Sequence, residues 1–393
     1  MALNDVVAIP HTGETSGGLD SRSPGALPAV TGRRLASIDA LRGFDMFWLM
    51  QEDPGMLLAL AAALHLPFQA TLRKQLDHTP WVGFTFWDLI APLFLFIVGL
   101  ALPFAIQSRL RRGESRKTIL LHILRRTALL IVLGLIYNGI LGLNFPEFRY
   151  TGVLQRIALS YVFAAIITLM TGLRGRIAWT IALLAGYWAI MALIPVPGFG
   201  RNVLTMQGNL EGYIDRLFLP GKFCCYVYGD NEGYLSTIPS VATVMLGVLC
   251  THILQAKRSE RFKVLALAGG GIGSLAVGLA WGTVFPIITR LWTSSYTLYS
   301  NGWCMLLFAL FYWLIDVKGY RRWAFFFKVI GLNALTIYLL QELFDFKHIA
   351  DIFAAGLAQH SGVYGVLVMG VAIVASKWLF LYFLYRQKIF LKA

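Results

Sequence analysis

Between Phe84 and Ile106 the chain reads FTFWDLIAPLFLFIVGLALPFAI, a run long enough to cross a bilayer in which Asp88 is the sole charged residue. Comparable runs recur over about 37–51, 118–143, 152–171, 176–195, 236–255, 263–284, 297–315, 324–344 and 362–384. A backbone surrounded by hydrocarbon must satisfy its own hydrogen bonds, and apolar runs of this length do so as helices. The expected fold is therefore all-α, a polytopic integral membrane protein with about ten transmembrane helices. In 393 residues they leave no room for a sizeable soluble domain. The charged fraction agrees, at 14% against the roughly 25% of soluble domains.

The net charge of +14 does not point to nucleic acid, because the basic residues fall in short clusters between apolar runs. They follow every second helix: Arg109 to Lys117, Arg174 and Arg176, Lys257 to Lys263, Lys318 to Arg322, and Arg386 to Lys392. The positive-inside rule then puts both termini in the cytoplasm and His78 near the outer face. Residues 1–34, rich in Gly, Ser, Thr, Pro and Ala, read as a disordered cytoplasmic tail rather than a signal peptide, and 35–393 as the transmembrane domain. Membrane lipids are the expected surroundings, and a homodimer is left open. Four cysteines are too few for a disulfide framework, and the geometry of a disulfide disfavours pairing of the adjacent Cys224 and Cys225. No spacing fits a metal site.

Polar residues inside such a bundle are functional candidates, with interhelical pairing as the structural alternative for each. Asp88 lies just inside the run that His78 precedes, with Trp81 among the aromatic residues of the interface. Asp39, Arg42 and Asp45 follow one another at steps of three on one helical face, where the arginine is expected to pair with an acid above and below it. Glu52 and Asp53 follow that helix. Gln155 and Arg156 open the fourth run, Ser236 and Thr237 the sixth, and Asn333 lies in the ninth. The connection from Pro195 to Leu235, long enough to suggest a functional loop, carries Asp230 and Glu232. The Gly269 to Gly273 tract lies within an apolar run and follows no strand, which favours close helix packing over nucleotide binding.

The ordered motifs SIDALRGF, HTPWVGFTFWDLIAPLFLFIVG, GVLQRIALSY, GDNEGYLSTIP, RLWTSSY and GLNALTIYLL resemble the transmembrane acetyltransferase family of heparan-α-glucosaminide N-acetyltransferase, over about residues 34–390. The resemblance implies an acetyltransferase that takes the acetyl group of cytosolic acetyl-CoA to an amino sugar or related glycan across the membrane. It also implies that the histidine before Trp-x-Gly, here His78, is the active-site residue. An imidazole suits proton removal from an amine, and Asp88 is placed to orient it. Arg42, Gln155, Arg156, Ser236, Thr237 and Asn333 are the expected contacts of acetyl-CoA. Glu52, Asp53, Trp81, Asp230 and Glu232 are those of the acceptor. Where the eukaryotic enzyme has an asparagine after the first family helix, this chain has Gln51, Glu52, Asp53 and Pro54, and the luminal domain of the lysosomal enzyme has no counterpart. The expected setting is a bacterial cytoplasmic membrane with the site toward the periplasm. Rival readings are O-acetylation of a periplasmic polysaccharide and a non-catalytic transporter of acylated sugars or lipid-linked glycans. No internal repeat beyond hydropathy supports the transporter.

Overall fold

A computed structural model describes residues 35–51 and 55–391. The expected tail, Glu52 and Asp53 lie outside that set. Three helices precede the first long span: α1 (Ala36–Met50), α2 (Gly55–Ala63) and α3 (Gln69–Gln75). Five more follow: α4 (Ile90–Arg111), α5 (Arg116–Tyr137), α6 (Val153–Met170), α7 (Leu173–Leu193) and the short α8 (Leu210–Phe218). After a two-stranded hairpin, β1 (Cys225–Tyr226) with β2 (Gly229–Asp230), come α9 (Thr237–Gln255), α10 (Glu260–Gly282) and α11 (Ser294–Phe311). The last four are α12 (Ala324–Leu332), α13 (Ala334–Leu343), α14 (Phe346–His360) and α15 (Gly365–Arg386).

Local chemistry sets many of these ends. Ser115, Asn209, Ser259, Thr293 and Asp345 each accept a hydrogen bond from a backbone N–H in the first turn of α5, α8, α10, α11 and α14. The residue before α1 is Leu35, which cannot do this. Its place is taken from a distant part of the chain, since the Asp316 carboxylate accepts from the N–H groups of Ala36 and Ser37 at 3.3 and 3.1 Å.

Among the described residues, eight helices are long and apolar enough to cross a membrane, and α12 with α13, bent by 70°, forms a broken span or a re-entrant loop. The tenth expected span differs. Helix α1 has 15 residues, about 22 Å at 1.5 Å per residue, short of a hydrocarbon core of about 30 Å. It lies against α12, where a Cβ on Gly43 would fall 1.7 Å from the Phe327 carbonyl oxygen. Helices α4 and α9 form the centre, and 72% of the apolar stretch of α9 is buried, whereas α15 buries 11% and turns its apolar face outward. Of the Gly269 to Gly273 tract, Gly271 packs tightly, against the Gly302 carbonyl oxygen of α11, while Gly269 and Gly273 face open space. The packing role thus belongs to part of the tract.

One end of the bundle is knitted together by connecting segments. Val82 pairs with Ile288 and Arg149 with Gly221 in single antiparallel bridges. Cys224 and Cys225 are joined in a vicinal disulfide, contrary to the sequence expectation, with Cys225 at φ +78°. The His78 segment belongs to this end.

Candidate active site

The segment from Leu76 to Leu89 turns back on itself before entering α4. Thr85 and Asp88 close a turn: the Asp88 N–H donates to the Thr85 carbonyl, and the Asp88 carboxylate accepts from the Thr85 N–H and hydroxyl, both at 3.0 Å. The same carboxylate accepts from the Thr79 hydroxyl at 2.7 Å and lies 2.8 Å from Nδ1 of His78. Tyr296 of α11 donates its hydroxyl to the Asp88 main-chain oxygen at 2.6 Å. Asp88 is buried and fixed from several sides, while the His78 side chain is 43% exposed.

This arrangement assigns roles to the imidazole nitrogens. A carboxylate gathering several donors is an acceptor, so Nδ1 carries the proton toward Asp88 and Nε2 presents its lone pair. The sequence reading singled out His78 and Asp88 and missed Thr79, Thr85 and Tyr296. The spacing Thr-x-x-Asp before an apolar run is the signal that could have found Thr85.

One aromatic layer away lies Arg156. Trp292 packs edge-on to Tyr296, with centroids 5.5 Å apart, and the Arg156 guanidinium sits 4.7 Å from the centre of the Trp292 ring. One guanidinium nitrogen donates to the Ser236 hydroxyl, whereas Nε and Nη1 are buried with no hydrogen-bond partner among the described residues. Gln155 is also buried, with both amide atoms unpartnered among the described residues. Thr237 directs its hydroxyl to the Gly233 carbonyl.

Other expected contacts are engaged elsewhere. Arg42 lies 3.5 Å from Asp39 and 3.5 Å from the Gly331 carbonyl oxygen. The anticipated triad is incomplete, because both carboxylate oxygens of Asp45 are buried without a hydrogen bond among the described residues. Asn333 stands at the break between α12 and α13 and donates to the Ile389 carbonyl at 3.1 Å. Asp230 and Glu232 both face Arg149, which the sequence reading passed over. Its Nε and Nη2 reach the two Asp230 oxygens at 2.8 and 2.6 Å, and Nη2 also pairs with Glu232. Trp81 donates its indole N–H to the Leu204 carbonyl at 2.7 Å and packs on Tyr226, tying the His78 segment to the long connection above it.

That connection holds a packed acidic group. Burial pushes the Asp230 carboxyl up, but the Arg149 hydrogen bonds and charge outweigh burial and hold it below the usual range. Asp215 has no such partner, and burial pushes its carboxyl up to about 6. Burial, reinforced by Asp215, raises Glu211 well above the ordinary value.

Further polar atoms lie on and after α1 and on α11. Trp48 packs on Phe86 at 4.8 Å, and its indole N–H, the Gln51 amide, the Thr297 hydroxyl and the Asn301 carbonyl oxygen are buried without partners among the described residues. Buried polar groups normally find partners, so these unpartnered ones are candidates to meet a polar ligand or water.

A family model described as heparan-alpha-glucosaminide N-acetyltransferase, catalytic, matches residues 34–280. The human protein named heparan-alpha-glucosaminide N-acetyltransferase is 28% identical over 414 residues, covering 91% of this chain and 60% of the human one. The mouse protein of the same name is 28% identical over 418 residues with the same coverage. The chain thus spans about three-fifths of the length of these relatives.

Proposed function

This chain belongs to the heparan-α-glucosaminide N-acetyltransferase catalytic family, and from that premise we propose that it transfers the acetyl group of acetyl-CoA to the amine of a glucosaminide or related glycan, with residues 35–393 as the transmembrane acyltransferase domain. The observation that carries the mechanism is the His78 to Asp88 contact of 2.8 Å. Asp88 holds the imidazole with Nε2 free, and Nε2 takes the proton from the attacking amine. The new carbon–nitrogen bond forms at the thioester carbonyl, the carbon–sulfur bond breaks, and the coenzyme A thiolate leaves to collect a proton. As His78 becomes imidazolium, Asp88 stabilises its charge.

The donor is held along the unpartnered groups. Gln51, Thr297 and Asn301 offer amide and hydroxyl partners for the pantetheine arm. Trp81 and the segment it ties down cover the acceptor side. The His78 end faces away from the cytoplasm, as the clustering of basic residues supports, so acetyl crosses from a cytosolic donor to an outer acceptor.

The test uses purified protein in detergent with acetyl-CoA and a panel of amino sugars. Acceptor-dependent release of free coenzyme A, with an N-acetylated product seen by mass spectrometry, is the expected result. Thiol release that no amine accelerates, or none at all, would sink the proposal.

A further inference from the structure

At the far end of α4 from His78 the bundle opens into a cavity of about 430 Å³ between the last turns of α4 and the first half of α5. Arg109, His122, Arg125 and Arg126 contribute its polar lining, and Ile106 and Ile123 belong to its apolar wall. Arg109 is 2.9 Å from Glu114, which neutralises one charge. Arg125 and Arg126 make no ion pair among the described residues, and Arg126 is held over the Tyr161 ring at 4.7 Å from its centre. Two guanidinium groups without an ion pair among the described residues, one of them stacked on Tyr161, stand beside an apolar wall and match an amphiphile with an anionic head.

We propose that this cleft binds the phosphate headgroup of an anionic phospholipid. The surface beside it supports that occupant: Leu121, Leu124 and Leu129 of α5 are exposed on the outside of a spanning helix, where acyl chains would lie. Basic pockets at the ends of membrane helices select acidic headgroups by such a combination. The donor of the transfer reaction carries phosphate too, yet Arg109 lies 21 positions along the chain from Asp88, about 30 Å at helical rise. The cleft is therefore a site separate from the His78 group, and the proposal stands whether or not acetyl transfer does.

The experiment titrates detergent-solubilised full-length protein with phosphatidylglycerol, phosphatidylcholine, inorganic phosphate and coenzyme A, reading bound lipid by native mass spectrometry and stabilisation by thermal shift. The double variant Arg125→Gln with Arg126→Gln is compared with Arg112→Gln with Lys117→Gln, an equal charge change in the same region outside the cleft lining. Phosphatidylglycerol is expected to bind in preference to phosphatidylcholine, and to weaken roughly tenfold or more in the cleft variant but less than about twofold in the control. If gel filtration shows the double variant misfolded, Arg125→Gln alone is measured, with a loss of roughly threefold or more expected. Equal loss in both pairs, or no loss in the cleft variant, overturns the site. Coenzyme A or phosphate binding there more tightly than phosphatidylglycerol overturns the lipid assignment.

Discussion

Asp88 gives one carboxylate two tasks, closing the turn that starts α4 and setting the proton on Nδ1 of His78. The two tasks separate in mutants. His78→Ala removes an imidazole that is 43% exposed and caps nothing, so acetyl transfer should fall by roughly 100-fold or more with little change in melting temperature. Asp88→Asn should lower transfer by at least as much and also melt earlier, since it weakens the donors of Thr79 and Thr85 as well as the imidazole. A His78→Ala protein with near-native turnover would remove the histidine from the chemistry. A second residue-scale expectation concerns Asp215, whose carboxyl keeps its proton to about pH 6 when folded against an ordinary value of 3.8. Its contribution to stability is fully present below about 3.8 and lost as pH rises through 6, roughly 3 kcal/mol in all. Asp215→Asn cannot titrate, so the melting temperature of the native protein minus that of the variant should decline from pH 4 to pH 6. A difference that rises over that window would contradict the assignment. Other carboxyls, Asp230 among them, contribute with the opposite sign, which is why the difference between proteins, rather than either curve, carries the test.

Helix α1 is held by backbone proximity as much as by side chains. A Cβ at Gly43 would meet the Phe327 carbonyl oxygen at 1.7 Å, and one at Gly331 would meet the Asp39 carbonyl oxygen at 1.9 Å. Neither neighbour is the end of a flexible side chain, so Gly43→Ala must push α1 and α12 apart, and it should destabilise by about 1–3 kcal/mol in a detergent melt. Gly269→Ala, where nothing lies within 4 Å, should change stability by less than about 0.5 kcal/mol. Equal effects at the two sites would refute the packing account. The contrast also marks what could be read from the chain. Apolar length revealed most spans, because a helix is the only way an unpaired backbone survives hydrocarbon. The break at Asn333 was invisible, since residues 324–344 stay apolar across it, and so was the cap that Asp316 places on α1 from 280 residues away. His78 and Asp88 were legible because they sit on one short segment. Arg149, which gathers Asp230 and Glu232, was not, because nothing in its surroundings announces a partner 81 residues on.

For the molecule as a whole, function turns on which end faces which compartment. The segments following α5, α7 and α10 bond to one another and to the His78 segment, whereas the short, basic connections after α4 and α9 belong to the opposite end. Positive charge is retained on the cytoplasmic side during insertion, so the Arg109 end is expected inside and the His78 end outside. Exposed Arg201 and Arg112 test the two ends by cysteine substitution. The natural cysteines offer little background, as Cys224 is bonded to Cys225 and both Cys250 and Cys304 are buried. In intact cells a membrane-impermeant maleimide should label Arg201→Cys, and should label Arg112→Cys only after lysis. Each substitution removes one positive charge, so Arg201→Gln and Arg112→Gln proteins that keep native transfer would show that both positions tolerate that loss. The reverse labelling pattern would turn the molecule over. A cytosolic thioester would then meet His78 from its own side of the membrane, and acetyl would have no bilayer to cross.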